Sequence, residues 1–143
     1  MLKGIPSILS PDLLKILMEM GHGDEIVIAD GNFPAASCAK RLVRCDGHDV
    51  PSLLHAILQL MPLDAYVDAP AVIMQLAGND TEEPPIWKTF AQMLTQYEPQ
   101  NHTIASTGRQ AFYDRAKQAY AIVATGETAL YANIILKKGV VVE

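Results

Sequence analysis

A histidine between two glycines is the first residue in the chain whose setting suggests chemistry. Gly21 and Gly23 permit backbone angles that other residues avoid, so His22 is expected to project from a tight turn. Asp30 follows directly after the apolar run Ile26–Ala29, which is typical of a strand covered on both faces. Ligands of open α/β sheets bind outside the carboxyl ends of strands. An imidazole and a carboxylate in this setting indicate a site that handles protons.

The spacing of these two residues sets a geometric problem. Eight residues of mostly extended chain can separate His22 from Asp30 by roughly 25 Å. To share one pocket, either the flanking loops fold back or one residue comes from a neighbouring subunit. Plainer interpretations also exist, because exposed turn histidines are common and Asp30-Gly31 is a common strand-ending turn pair.

Composition narrows the class of protein. A chain of 143 residues is predicted to form one domain, residues 1–143. It is 50% hydrophobic without a stretch long enough to span a membrane, so we expect a homo-oligomer that covers apolar surface between subunits. The net charge of −5 and the lack of a basic patch argue against a nucleic-acid partner. Two free cysteines, Cys38 and Cys45, and no apolar leader predict a cytoplasmic protein.

Helices and strands are predicted to alternate along most of the chain. Helix starts are predicted at Ser10, Asp49, Pro84 and Ser106, and a small-residue loop over 31–40. Strands are predicted at 25–29, 41–45, 71–76, 102–106, 120–125 and 132–136. This order predicts a three-layer α/β/α fold with a mixed, mostly parallel sheet of about six strands. The last two strands follow one another, so the sheet is expected to be mixed at its C-terminal edge.

Polar residues in the second half of the chain could bind a ligand. Tyr131 and Asn133 are two apart in a predicted strand, so their neutral hydrogen-bonding groups should share a face. That suits a polyhydroxylated ligand, although a solvated edge strand would look the same. Arg109 stands at a helix start, where its charge opposes the helix dipole and calls for a ligand oxygen or an acidic neighbour. Tyr120 begins a strand and is either a core residue or a pocket wall.

Several common chemistries have no signature here. No glycine triplet opens a helix as in phosphate loops, and no serine elbow joins a strand to a helix. The four histidines, His22, His48, His55 and His102, do not fall at metal-ligand spacing. We therefore expect neither a metal nor a cofactor.

Taken together, the motifs resemble one known family over essentially the whole chain. They are the segment 21–25 (Gly-His-Gly-Asp-Glu), Asp30 with Phe33-Pro34, the segment 109–113, and 125–127 (Thr-Gly-Glu) running on to 131–140. In this order and spacing they are similar to the ribose pyranase and fucose mutarotase family. Arg109 and the Gly-His-Gly-Asp-Glu order resemble the fucose mutarotase branch. The small-residue loop 35–39 departs from the family pattern, which includes another histidine there.

The resemblance implies an isomerase, a mutarotase of carbohydrate metabolism that interconverts anomers of a free reducing sugar such as L-fucose. Family members form ring-shaped oligomers, decamers in known examples, with pockets near subunit contacts. The proton donor maps to His22. Sugar-binding positions map to Asp30, Arg109 and the segment Tyr131, Ala132 and Asn133. The alternatives are a ribose pyranase-type pyranose/furanose isomerase and a non-catalytic sugar-binding module.

The implied chemistry suits these residue types. Opening a cyclic hemiacetal requires a proton on the ring oxygen and removal of a proton from the anomeric hydroxyl, and no cofactor takes part. Histidine titrates near neutral pH, so His22 can both give and take that proton. Two roles fit Asp30, orienting His22 or binding sugar hydroxyls. Phe33 or Tyr120 would cover the apolar face of the sugar.

Overall fold

The computed structural model describes residues 1–143, and it contains five helices and six strands. The helices are α1 (Pro11–Glu19), α2 (Ala35–Cys38), α3 (Val50–Leu58), α4 (Pro85–Tyr97) and α5 (Arg109–Gln118). The strands are β1 (Glu25–Ala29), β2 (Leu42–Cys45), β3 (Ala71–Met74), β4 (Ile104–Thr107), β5 (Ala121–Thr125) and β6 (Ile134–Lys137). The predicted alternation of elements is confirmed. The short helix α2 was not predicted, and it lies in the small-residue segment that we expected to be a loop.

Local sequence signals explain where the helices begin. The Ser10 hydroxyl accepts a hydrogen bond from the Leu13 N–H, and Pro11 occupies the first helical position of α1. At α3 the Asp49 carboxylate accepts from the Ser52 N–H in the same way. These caps fix where α1 and α3 begin, and α1 ends at Glu19, just before the turn that carries His22.

The six strands form one sheet in the order β2-β5-β1-β6-β3-β4. Five strands run parallel, and β6 is antiparallel to both of its neighbours, β1 and β3. The mixed, mostly parallel sheet is therefore as predicted. The expectation that the mixing lies at an edge is wrong, because β6 is inserted in the middle of the sheet. Its fully buried residues Ile134, Ile135 and Leu136 need cover on both faces, which a central position provides.

Helices cover both faces of the sheet. Alternate residues of β1 point to opposite sides, Ile26 and Ile28 to one core and Val27 and Ala29 to the other. Buried residues of α1, α3 and α4 complete the first core, and those of α2 and α5 complete the second. This is the predicted three-layer α/β/α arrangement. None of the helices is long and apolar enough to cross a membrane.

The topology decides which loops meet at each end of the sheet. The carboxyl ends of β1, β3, β4 and β5 and the amino end of β6 lie together. The residues that follow or precede them there include Asp30, Arg109 and Tyr131–Asn133. The opposite end gathers the turn before β1, the residue before β5 and Lys138 after β6. The polar residues singled out in the sequence are thus divided between two ends of one sheet.

Candidate functional site

Asp30 is the centre of a buried hydrogen-bonded cluster at the carboxyl end of β1. Its side-chain oxygens accept hydrogen bonds from the Asn32 N–H at 3.0 Å, the Ala132 N–H at 3.4 Å and the Asn133 amide at 3.1 Å. An ionised carboxylate has about four acceptor positions, so room remains for roughly one further donor. Asp30 is only 6% exposed and borders a cavity, so that donor can only come from the cavity side.

Asn133 and Asp30 hold one another in a fixed orientation. The Asn133 carbonyl oxygen accepts from the Asp30 backbone N–H at 2.7 Å, while its amide nitrogen donates to the Asp30 carboxylate. These contacts assign the oxygen and nitrogen of the amide, and the second amide N–H has no partner within the chain. Asn133 therefore offers one donor beside the free acceptor position of Asp30.

Tyr131 is held in an unusual backbone conformation at the same cluster. It is the only non-glycine residue with positive φ, at 56°. Its carbonyl accepts from the Trp87 indole N–H at 2.9 Å, and its hydroxyl donates to Asp80 at 2.7 Å and accepts from the Ala77 N–H at 3.1 Å. Sequence reasoning missed Asp80 and Trp87, which lie far from Tyr131 in the chain and form no motif with it.

The structure corrects the reason given for pairing Tyr131 with Asn133. Both were predicted to lie in a strand over 132–136 or at its start, but β6 begins only at Ile134, and Tyr131 to Asn133 form the turn before it. Both residues nevertheless line the same cavity. The turn achieves this through the positive φ at Tyr131, and the period-two rule for strands does not apply.

The cavity beside Asp30 has a volume of about 260 Å³ and is open to solvent. It has polar and apolar walls, formed by Asp30, Asn32, Phe33, Met74, Asp80, Tyr113, Leu130, Tyr131 and Asn133. Arg109 is exposed next to it, and its Nε donates to the Tyr113 hydroxyl at 3.4 Å. The Phe33 and Tyr113 rings meet edge to face at 5.3 Å. We name Asp30, Arg109, Tyr131, Ala132 and Asn133 the carboxyl-end cluster.

The Thr125-Gly126-Glu127 segment binds the backbone on both sides of Asp30 and so supports this cluster. Gly126 has to be glycine, because a Cβ there would lie 2.1 Å from the Asp46 carbonyl oxygen. The Thr125 hydroxyl donates to the Ala29 carbonyl at 2.7 Å, and the Glu127 carbonyl accepts from the Gly31 N–H at 2.9 Å. These two hydrogen bonds hold Ala29 and Gly31, and they thereby help to position the Asp30 side chain.

His22 lies at the other end of the sheet, on the turn before β1. Gly23 has a φ of 87°, which glycine adopts without strain, and its N–H donates to the Lys138 carbonyl. The imidazole Nε2 is 3.1 Å from the Asp64 Oδ1, and the ring lies 5.7 Å from that of Tyr66. The His22 side chain is 46% exposed, whereas that of Asp64 is 5% exposed. We name His22, Asp64 and Tyr66 the amino-end cluster.

The Asp64 carboxylate is charged and fixed. Burial by itself raises the pKa of this carboxyl, but the hydrogen bonds from the Tyr66 N–H and His22, with the positive charges of His22 and Lys137, outweigh burial and lower the pKa. A carboxylate on Nε2 favours a proton on that nitrogen and leaves Nδ1 for another partner. Asp64 belongs to none of the motifs singled out in the sequence, so its contact with His22 was missed.

Tyr120 does not join the carboxyl-end cluster. It precedes β5 and therefore lies at the end of the sheet that carries His22. Its hydroxyl donates to Glu19 at 2.7 Å, and the Arg41 guanidinium stacks 3.9 Å from its ring centre. The hydrogen bond to Glu19, followed by burial, raises the pKa of the Tyr120 hydroxyl. Of the two aromatic residues expected to cover a sugar, Phe33 lines the cavity and Tyr120 does not.

The two clusters cannot contact one small ligand within a single chain. They flank β1, whose five residues alone span about 17 Å. No fold-back of loops brings them together, because His22 pairs with Asp64 at one end while Asp30 pairs with Asn133 at the other. Of the two arrangements that the sequence left open, only the one in which residues come from two subunits joins His22 to Asp30.

A cleft with exposed apolar side chains lies next to the turn that carries His22. Met18 of α1 is 88% exposed and Val141 is 71% exposed, and both line a cleft with Leu60 and Pro62. Lys138, which binds the His22 turn, lines the same cleft. Clustered apolar surface of this kind is typical of a protein contact. We name Met18, Leu60, Pro62 and Val141 the apolar rim.

The protein is a three-layer α/β/α protein with a polar cleft at the carboxyl ends of its strands, which is where proteins of this class bind ligands. Residues 3–141 match the RbsD / FucU transport protein family, and the chain belongs to this family. It is 53% identical to fucose mutarotase from Mus musculus, over 96% of this chain and 94% of that protein.

Solved structures have the same fold. The fucose mutarotase from Streptococcus pneumoniae, in complex with L-fucose, is 60% identical with a TM-score of 0.94, over 99% of this chain and all of that one. RbsD from Bacillus subtilis, complexed with D-ribose, is 25% identical with a TM-score of 0.71, over 99% and 100% of the two chains. The resemblance drawn from the sequence motifs is thereby confirmed.

Proposed function

We propose that this chain is an L-fucose mutarotase, an isomerase that interconverts the α and β anomers of the free sugar by cofactor-independent ring opening and closure. The observation that carries the proposal is the His22 imidazole, half exposed on a glycine turn and hydrogen-bonded to the buried Asp64. The relatives named fucose mutarotase at half identity or more support the same activity. Residues 1–143 then form a single sugar mutarotase domain.

The acid–base step follows from how Asp64 fixes the imidazole. With Nε2 protonated toward Asp64, Nδ1 is free to take the proton from the anomeric hydroxyl. The same nitrogen returns a proton to the ring oxygen, and the C1–O5 bond of the sugar breaks to give the open aldehyde. Rotation about C1–C2 and the reverse proton transfers close the ring as the other anomer. Positioned acid–base groups contribute about 10²–10⁴-fold to such steps.

The carboxyl-end cluster supplies the sugar-binding groups. Asp30 accepts from one hydroxyl, Asn133 donates its second amide N–H, and Arg109 donates to hydroxyl oxygens. Phe33, Met74 and Leu130 form an apolar wall that suits the C6 methyl of a 6-deoxy sugar. This assigns Asp30 to sugar binding, while the orientation of His22 falls to Asp64.

The complete pocket forms between subunits of a homo-oligomer. His22 of one subunit faces the carboxyl-end cluster of its neighbour, and the apolar rim next to the His22 turn supports a subunit contact there. Each subunit gives one cluster and receives the other in a head-to-tail contact, and such contacts form a ring when the rotation between subunits closes. The family resemblance favours a decamer. Two reduced cysteines suit the cytoplasm.

Saturation-exchange NMR on L-fucose tests the proposal. Wild type should accelerate exchange between the anomeric protons, and His22→Ala should lose most of this acceleration while keeping its fold by circular dichroism. Undiminished exchange in that variant would remove His22 from the mechanism. Fucose binding in calorimetry without any acceleration would identify a non-catalytic sugar-binding module. Faster exchange of D-ribose than of L-fucose, with conversion between pyranose and furanose, would identify the ribose pyranase activity.

A further inference from the structure

The hydroxyl of Tyr131 joins two loops that are far apart in sequence. It donates to the Asp80 carboxylate at 2.7 Å and accepts from the Ala77 N–H at 3.1 Å. The Asp80 N–H in turn donates to the Ala77 carbonyl, which closes the turn after β3. The loop after β3 and the turn before β6 are therefore connected through one phenolic oxygen.

These contacts fix the direction of the Tyr131 hydrogen bonds. A phenol has one O–H to donate, and here the Asp80 carboxylate accepts it. The bond to a charged acceptor is stronger than one to a neutral sugar hydroxyl. Toward the cavity, the Tyr131 hydroxyl oxygen can therefore only accept a hydrogen bond. A sugar hydroxyl that meets it has to donate.

Asp80 also lies between two cavities. It lines the one beside Asp30, of about 260 Å³, and a larger neighbouring one of about 650 Å³, and Leu130 and Tyr131 line both. The Asp80–Tyr131 contact is therefore part of the wall that closes the smaller cavity toward the larger. Trp87 holds the backbone of Tyr131 from the other side.

We infer that Asp80 is a positioning residue for sugar binding, which holds the Tyr131 phenol as a hydrogen-bond acceptor facing the cavity. The inference rests on the proposed function, since it deepens the description of the same site. Asp80 acts only through Tyr131. It is exposed and has no part in the proton transfers of His22.

The test compares Asp80→Ala, Asp80→Asn and Tyr131→Phe, with Glu82→Ala as the control. Glu82 is an exposed carboxylate of the same loop that lines only the larger cavity. We expect Asp80→Ala to weaken L-fucose binding in calorimetry about tenfold, the effect of roughly one hydrogen bond. Asp80→Asn keeps an acceptor oxygen and should recover most of the affinity. Exchange at saturating sugar should change little, because a uniform binding interaction is lost.

The double variant decides whether Asp80 acts through Tyr131. In a Tyr131→Phe background, Asp80→Ala should weaken binding no further. An equal further loss there, unchanged binding in Asp80→Ala alone, or an equal loss in Glu82→Ala would overturn the inference. If the wild type binds fucose but does not accelerate exchange, the mutarotase proposal is overturned and the inference on Asp80 is not. Absence of fucose binding in wild type would overturn both.

Discussion

The Nε2 of His22 lies 3.1 Å from the Oδ1 of Asp64, forty-two residues further along the chain. The imidazole is half exposed and the carboxylate is buried, so the pair presents one ring nitrogen to solvent and anchors the other. The Tyr66 N–H binds the same carboxylate oxygen at 3.0 Å and keeps Asp64 in place. This is how orienting carboxylates hold catalytic histidines in general.

Asp64→Asn should therefore slow anomer exchange without abolishing it. We expect a loss of about tenfold or more, but less than the about 10²–10⁴-fold loss expected when the acid–base group itself is removed. The measurement is the NMR exchange rate at a fixed neutral pH. Asp68→Asn, at an exposed carboxylate of the same segment, should leave the rate unchanged.

Mixing two impaired variants should restore activity if the pocket is shared. His22→Ala lacks the proposed proton carrier, and Arg109→Ala lacks a proposed sugar-binding group at the opposite end of the sheet. When the two are unfolded together in equal amounts and refolded, roughly a quarter of shared pockets receive both intact residues. Exchange above the mean of the two separately refolded variants is the expected result. A mixture that shows only that mean would place both residues in pockets made by one chain.

Acid should weaken the fold partly through Asp64. The pKa of its carboxyl is lowered on folding, so the charged group stabilises the folded state above about pH 4, the range where it is ionised when unfolded. That stabilisation is lost as the pH falls through the folded pKa. Urea unfolding at pH 6 and at pH 3 should show a difference in stability between wild type and Asp64→Asn that shrinks on acidification. A difference that stays constant or grows would contradict the lowered pKa.

The apolar rim should hold subunits together. Met18→Glu places a charge on a side chain that is 88% exposed in the isolated chain. We expect smaller species in sedimentation velocity and a parallel loss of exchange, because a charge is costly to bury in a contact. Lys15→Ala on the same helix, where the side chain is 74% exposed, should keep the wild-type size. Wild-type assembly in Met18→Glu would move the subunit contact to another surface.

The two thiols should react at very different rates. Cys45 is buried, and burial, followed by the charge of Asp46, raises the pKa of its thiol. Cys38 is partly exposed. A disulfide reagent at pH 8 should modify one thiol quickly, and Cys38→Ser should remove that fast phase. Persistence of the fast phase in Cys38→Ser would show that Cys45 is accessible.

The sequence was sufficient for most of the fold, because each strand and helix carries its own local signal. The apolar run of β1 and the Ser10-Pro11 helix start are examples. The position of β6 could not be predicted in this way. An antiparallel last strand satisfies the same hydrophobic pattern at an edge or in the middle, and only pairing with β1 and β3 decides between them.

Site residues that stand in a local sequence motif could be predicted. Residues whose role depends on a contact with a distant part of the chain could not. His22, Asp30 and Asn133 stand in recognisable local settings. Asp64 and Asp80 do not, because each is a loop aspartate whose importance arises from one contact, with His22 and Tyr131 respectively. Such contacts join positions 42 and 51 residues apart.

The four residues of β6 connect the two clusters. The turn Tyr131–Asn133 enters this strand at one end, and Lys138 leaves it at the other to bind the Gly23 N–H. Deleting one residue within 134–137 would swap the sides to which its side chains point and pull one of these attachments out of place. Strand β6 is therefore a second connection between the two clusters, beside β1, and a change in its length would disturb both ends of the sheet.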